Sequence, residues 1–155
     1  MSGIDECLLE AMRLPGARGA ALVEWVSGLA LGVVGEAPGG DHEVMAAETA
    51  EFARNAAELP VFTGPDGATD PHAAADGIGV PGPGVPDTRI GPVSDKELPV
   101  EDVIVVARTG YHLMRFLEAP YEGGVFLHLW LDRAQANLAL SLMRMRDLAE
   151  RLVLE

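Results

Sequence analysis

The order of hydrophobic periods along this chain predicts an α+β fold. It is a three-layer α/β/α sandwich, αββαβββα in element order, around a five-stranded antiparallel sheet. Three observations carry the prediction. Two apolar runs meet at Ser27-Gly28, as a hairpin does. Three more strand-like runs follow one another between Val103 and Asp132, as in a meander. Stretches of helical period stand before, between and after these groups.

The first helix is "SGIDECLLEAMRLPG". Ser2 and Asp5 have capping-box spacing, Ile4, Leu8 and Met12 form a stripe beside Cys7 and Ala11, and Pro15-Gly16 ends it. The hairpin "GAALVEWVSGLALGVVGE" is apolar almost throughout, which predicts a sheet covered on both faces. In "GGDHEVMAAETAEFARNAAELP", Asp41 is the N-cap, Glu43 lies in the first turn and Pro60 is the stop. This second helix has two stripes. Met45, Thr49, Phe52, Ala56 and Leu59 are expected to face the sheet. Ala46, Ala50, Ala53 and Ala57 form a second stripe, which either reflects helix propensity alone or, being small, admits another helix closely.

Residues 63–98 are rich in Gly and Pro without sustained period, which predicts a flexible loop inside a single domain spanning 1–155. Beyond it, Val103–Arg108 turns at Thr109-Gly110 into Tyr111–Glu118, and "VFLHLWLD" follows. Val103, Ile104, Val105, Val106 and Ala107 are apolar on both faces. A strand of this kind at a sheet edge aggregates unless something pairs with it. The last helix is expected to begin at Asp132, with Gln135 as capping-box partner and an apolar face of Ala134, Leu138, Leu142, Met145, Leu148/Ala149 and Leu152.

The chain has 155 residues, enough for a real core, and a net charge of −13 from 24 acidic and 11 basic residues. That balance argues against nucleic acid or anionic lipid as partner, since both reward Lys and Arg. One cysteine, Cys7, excludes an internal disulfide and suggests a reducing compartment. The start shows no signal-peptide core, and the longest apolar run is broken by Glu24 and Ser27-Gly28. The expectation is a cytoplasmic protein with no membrane span.

Catalytic and ligand motifs are lacking. "GIGVPG", Gly77 to Gly82, fits G-x-G-x-x-G literally, but no strand precedes it and prolines forbid the helix that the dinucleotide motif requires. No phosphate-loop motif occurs. His42, His72, His112 and His128 have no metal-ligand spacing; with the β-turn centred near Glu122, His128 falls opposite Arg115 and not His112. Neither Ser27 nor Ser94 sits in a nucleophile elbow, and Cys7 reads as a small core hydrophobe. No catalytic residue, cofactor or metal is therefore nominated, and the chain is not expected to be an enzyme.

The stretches "ALVEWVSGLALG", "EDVIVVARTGYHLMRFLE" and "VFLHLWLDRAQANLALSLMRMRDLAERL", in this element order, resemble the roadblock (dynein light-chain type) family, and most of all its bacterial, actinomycete-type members. The resemblance covers residues 2–60 and 99–153; the long loop 63–98 departs from it. It implies a dimer, homodimeric or with a related roadblock chain, in which third strands pair edge to edge and second helices pack antiparallel. The interface residues would be Val103, Ile104, Val105, Val106 and Ala107 with Ala46, Ala50, Ala53 and Ala57. It also implies a Ras-like small GTPase as partner, in signalling and with GTPase activation among the expected effects. Arg54, Arg108 and Arg115 are charged, but nothing marks any of them as an arginine finger. A second reading, from another class, is a small-molecule sensor domain of the PAS or profilin-like type, which would need a roomy pocket.

Overall fold

A computed structural model describes residues 2–63, 99–117 and 124–154. The elements are α1 (Ser2–Ala11), β1 (Ala17–Glu24), β2 (Leu29–Gly35), a 3-10 turn (Pro38–Gly40), α2 (His42–Glu58), the short α3 (Pro60–Thr63), β3 (Asp102–Ala107), β4 (Gly110–Leu117), β5 (Val125–Leu131) and α4 (Leu138–Leu154). The expected flexibility of 63–98 falls, beyond Thr63, outside the described residues. So do Glu118 and the β4–β5 turn.

All five strands form one antiparallel sheet in the order β2-β1-β5-β4-β3, as the sequence predicts in class and strand number. The last strand in sequence is the central one. Every residue of β5 is buried, so it carries apolar side chains to both faces. One face packs Leu8, Leu22, Leu113, Leu127 and Leu129 against α1 and α4. The opposite face packs Ala21, Val23, Met114, Phe116 and Phe126 against α2. The hairpins and the meander therefore stand as expected.

Four local expectations are corrected. β2 is an edge strand, and Leu29, Leu31 and Val33 are exposed despite its near-continuous apolarity. The last helix does not start at Asp132. Asp132 Oδ1 accepts from Ala134 N at 3.0 Å and its carbonyl accepts from Ala136 N at 2.9 Å, closing a turn. Asn137 is the cap, its Oδ1 accepting from Leu140 N at 3.0 Å. The turn is held where it is by Gly16, whose carbonyl accepts from Asp132 N at 2.7 Å; its φ of +81° favours glycine, and a Cβ there would come within 2.9 Å of Ala136 N. Ala134 consequently lies before α4 and is exposed.

The third correction concerns α2. Asp41 caps it as predicted, its Oδ1 accepting from Glu43 N at 2.9 Å and Val44 N at 3.2 Å. The two stripes, however, exchange places in part. Ala46, Ala50 and Ala53 are buried against the chain's own sheet, Ala53 with 0 % exposure, and Ala57 packs at their margin. Met45 and Ala56 are buried as expected, but Phe52 is 45 % exposed and Leu59 also faces out. Alanine lets the helix axis approach the sheet closely, so the small residues and not the large ones take the inner face. The alanine stripe is thus used within one chain.

The fourth is the register of β4 and β5. Met114 pairs with His128 and Arg115 with Leu127, which sets His112 diagonally beside His128.

Ala53→Glu is a direct check on the helix placement. A carboxylate forced between α2 and the sheet should destabilise the monomer by roughly 3 kcal/mol or more through overpacking and charge burial. Urea unfolding checks it; an unchanged midpoint would place Ala53 on the surface.

Candidate functional site: an open strand edge and the groove beside it

Among the described residues, β3 pairs only with β4 and ends the sheet. Its pairing parity follows from the hydrogen bonds. Phe116 N donates to Glu101 O at 3.0 Å, so Glu101 and Phe116 form a bonded pair one step beyond the strand. In an antiparallel ladder bonded and non-bonded pairs alternate. Val103↔Met114, Val105↔His112 and Ala107↔Gly110 are therefore the bonded pairs, and the backbone N–H and C=O of Ile104 and Val106 point away from the sheet. The same two residues expose their side chains, by 41 % and 58 %. Val103 and Val105 turn their side chains to the opposite face and pack at the margin of the α2 cluster. All five strand residues singled out from the sequence thus lie together on this edge, and the alanines of α2 do not join them.

The edge is short and is anchored at its open end. Asp102 accepts a hydrogen bond from Arg115 Nη1 at 2.7 Å, a half-buried ion pair across β3 and β4. At the turn, Arg133 Nη1 donates to Ala107 O at 3.1 Å. Arg115, considered as a charged candidate in the sequence, is therefore occupied structurally.

Next to the edge, α2 stops short of covering β4. An open groove of ≈ 400 Å³ remains, bounded by Pro38, Val44, Met45, Glu48, Thr49 and the two histidines. His112 Nδ1 and His128 Nε2 stand 3.2 Å apart, with the rings stacked 11° from parallel. His112 also stacks on Trp130, and Arg18 lies over Trp130 at 3.8 Å while its Nε donates to Glu36 at 3.0 Å. His128 is 2 % exposed. Burial pushes its pKa down to about 3, with the charge of nearby His112 adding to the effect; burial also lowers His112. At neutral pH the pair is uncharged, and one ring N–H donates to the other ring. Sequence reasoning missed this contact because it turns on a register shift of a single pair between β4 and β5.

Among the described residues no cluster of three or more His, Cys, Asp or Glu could hold a metal ion. Cys7 is buried and its Sγ lies 3.5 Å from Leu148 O, in a packing position. No helix among the described residues is long and apolar enough to cross a membrane.

The histidine pair makes stability depend on pH. Both folded-state pKa values lie below the ordinary 6.5, so the unfolded chain binds protons first as pH falls. Their contribution to stability is fully present above pH 6.5 and falls as the pH drops below it; for His128 the loss runs down to about pH 3, by at most about 1.4 kcal/mol per pH unit. His128→Met should therefore show a shallower fall in Tm between pH 7.5 and 4.5 than the parent. Parallel curves would mean that His128 does not carry the dependence.

No family model and no curated protein matches the sequence. Solved structures do match it. MglB from Myxococcus xanthus is 14 % identical with a TM-score of 0.60, over 98 % of this chain and 86 % of that one. The gliding protein MglB from Thermus thermophilus is 18 % identical with a TM-score of 0.59, over 98 % and 87 %. A Roadblock/LC7 domain from Streptomyces avermitilis is 17 % identical with a TM-score of 0.58, over 94 % and 91 %. At such identities the likeness is one of architecture, and it agrees with the strand number, sheet type and helix layers described above: the chain has the roadblock/LC7 fold.

Proposed function

We propose that this chain is a dimeric interaction module that regulates or scaffolds a Ras-like small GTPase and has no catalytic residues of its own. The observation that carries the proposal is the β3 edge. Ile104 and Val106 turn backbone donors and acceptors outward beside exposed apolar side chains, in a six-residue strand without a proline or a lysine to blunt it. A second copy related by a two-fold axis satisfies those groups and continues the sheet. The same patch is used twice, so the assembly closes. The partner's α2 then comes alongside this chain's α2. The residues that meet it are on the open face, around Val44, Glu48 and Phe52, in place of the inward-facing alanines. A related roadblock chain could take the place of the second copy.

The GTPase rests on the resemblance to roadblock proteins and gains support from the fold shared with MglB and the Roadblock/LC7 domain. Stimulation of hydrolysis would act by ordering the GTPase's own groups around water and phosphate. The sensor-domain alternative is weaker, because both faces of the sheet are filled by packed side chains and the groove by the histidines is open.

Two measurements test the proposal. Val106→Pro removes an outward donor and should give a folded monomer, whereas Val105→Pro removes a donor to β4 and should damage the hairpin itself. Light scattering with circular dichroism separates them, and a Val106→Pro chain that remains dimeric would refute the edge pairing. A Ras-like small GTPase from the same organism, loaded with GDP or with GTP, should co-purify with it in one nucleotide state. Absence of binding in both, with unchanged GTP hydrolysis, would refute the partner.

A further inference from the structure

On the face of the sheet opposite α2, the C-terminal turn of α1 and the flank of α4 enclose an open groove of ≈ 500 Å³. Its floor is apolar: Leu14 and Leu148 are buried and Leu140 is partly so. Its rim carries Arg13, Arg144 and Arg151, three of the eleven basic residues in a chain of net charge −13. Arg151 is paired with Glu10 across the two helices. Arg13 and Arg144 are exposed and form no ion pair among the described residues.

We infer that this groove between α1 and α4 is a docking site for an extended acidic peptide segment of a partner protein, one that alternates carboxylate and apolar side chains. Charge complementarity selects the occupant. Two unpaired guanidinium groups beside an apolar floor match carboxylates flanking an aliphatic side chain, and each guanidinium can hold a carboxylate through paired hydrogen bonds. Glu10 and Asp147 line the same groove, but Glu10 is held by Arg151. Arg13 and Arg144 against Asp147 leave a small positive excess, too little to reward a polyanion such as nucleic acid or an anionic membrane, whereas a peptide brings a few spaced carboxylates and backbone N–H groups that Asp147 can accept from. The groove's openness also favours a chain segment over a small ligand, since a small molecule would be little buried there. The site lies on the opposite layer from α2 and away from the β3 edge, so the proposed dimer would present it twice, and the inference does not depend on the GTPase.

The test is an array of octapeptides varied systematically in charge and apolarity, probed with the full chain. The peptides bound should be enriched in Asp or Glu alternating with Leu, Ile, Val or Phe. Fluorescence anisotropy with the best such peptide should show affinity falling with salt, and roughly tenfold weaker binding for Arg13→Gln and for Arg144→Gln, the scale of a lost charge-assisted hydrogen bond. Both residues are exposed, so Tm should hold and serves as the folding control. Enrichment in basic peptides, no enrichment, or binding unchanged in the Arg13→Gln/Arg144→Gln double variant would overturn the inference. So would tighter binding to phosphatidylserine vesicles or to tripolyphosphate than to the peptide.

Discussion

The structure depends on β5. Two hairpins, β1–β2 and β3–β4, meet only through this strand, which pairs with β1 on one side and β4 on the other. It is buried throughout, and its alternating side chains feed both cores: Leu127, Leu129 and Leu131 toward α1 and α4, Phe126 toward α2. A sheet whose central strand is the last of its described strands in sequence cannot close until that strand is available, which makes its contacts non-local and its folding slow relative to a helical bundle. It also explains why a polar residue there is so constrained. His128 is shut away from solvent and stays neutral, paired with the other histidine.

Placing β5 in the centre pushes β2 and β3 to the edges, and the two edges are treated differently. β2 carries a register irregularity opposite Leu22/Val23, which spoils a straight ladder. β3 is regular, pairs without interruption from Asp102 to Ala107, and is pinned at one end by Arg115–Asp102. A regular, anchored, apolar edge is the better template for another strand. α2 leaves an open groove over His112 and His128 on the same face.

Much of this was legible in the sequence, for stated reasons. The hairpins and the β-meander could be read because turn residues separate apolar runs, and Asp41 could be read as a cap because a helical pattern begins directly after it. What escaped was set by proximity, which periodicity does not encode. Phe52 and Ala53 are adjacent on α2, and hydrophobicity ranks Phe52 inward; close approach of helix to sheet reverses the choice. Asp132 and Asn137 are both good caps, and Gln135 favoured the first. The tight contact of Gly16 with Asp132 turned that segment into a β-to-helix connection and moved the helix start to Asn137. The pairing parity of β3 is visible only when a hydrogen bond such as Phe116 to Glu101 is in hand, and the histidine contact only when the register is.

The central claim is that the outward groups of β3 are satisfied by a second chain. Residue-resolved amide hydrogen exchange tests it most directly. Among the described residues of one chain, the N–H groups of Val103 and Val105 are bonded to β4 and those of Ile104 and Val106 point away from it. The account predicts that all four are protected at high protein concentration and that Ile104 and Val106 alone lose protection on dilution, in step with the loss of the dimer. Fast exchange at Ile104 and Val106 at every concentration, or protection there in a monodisperse monomer, would contradict it.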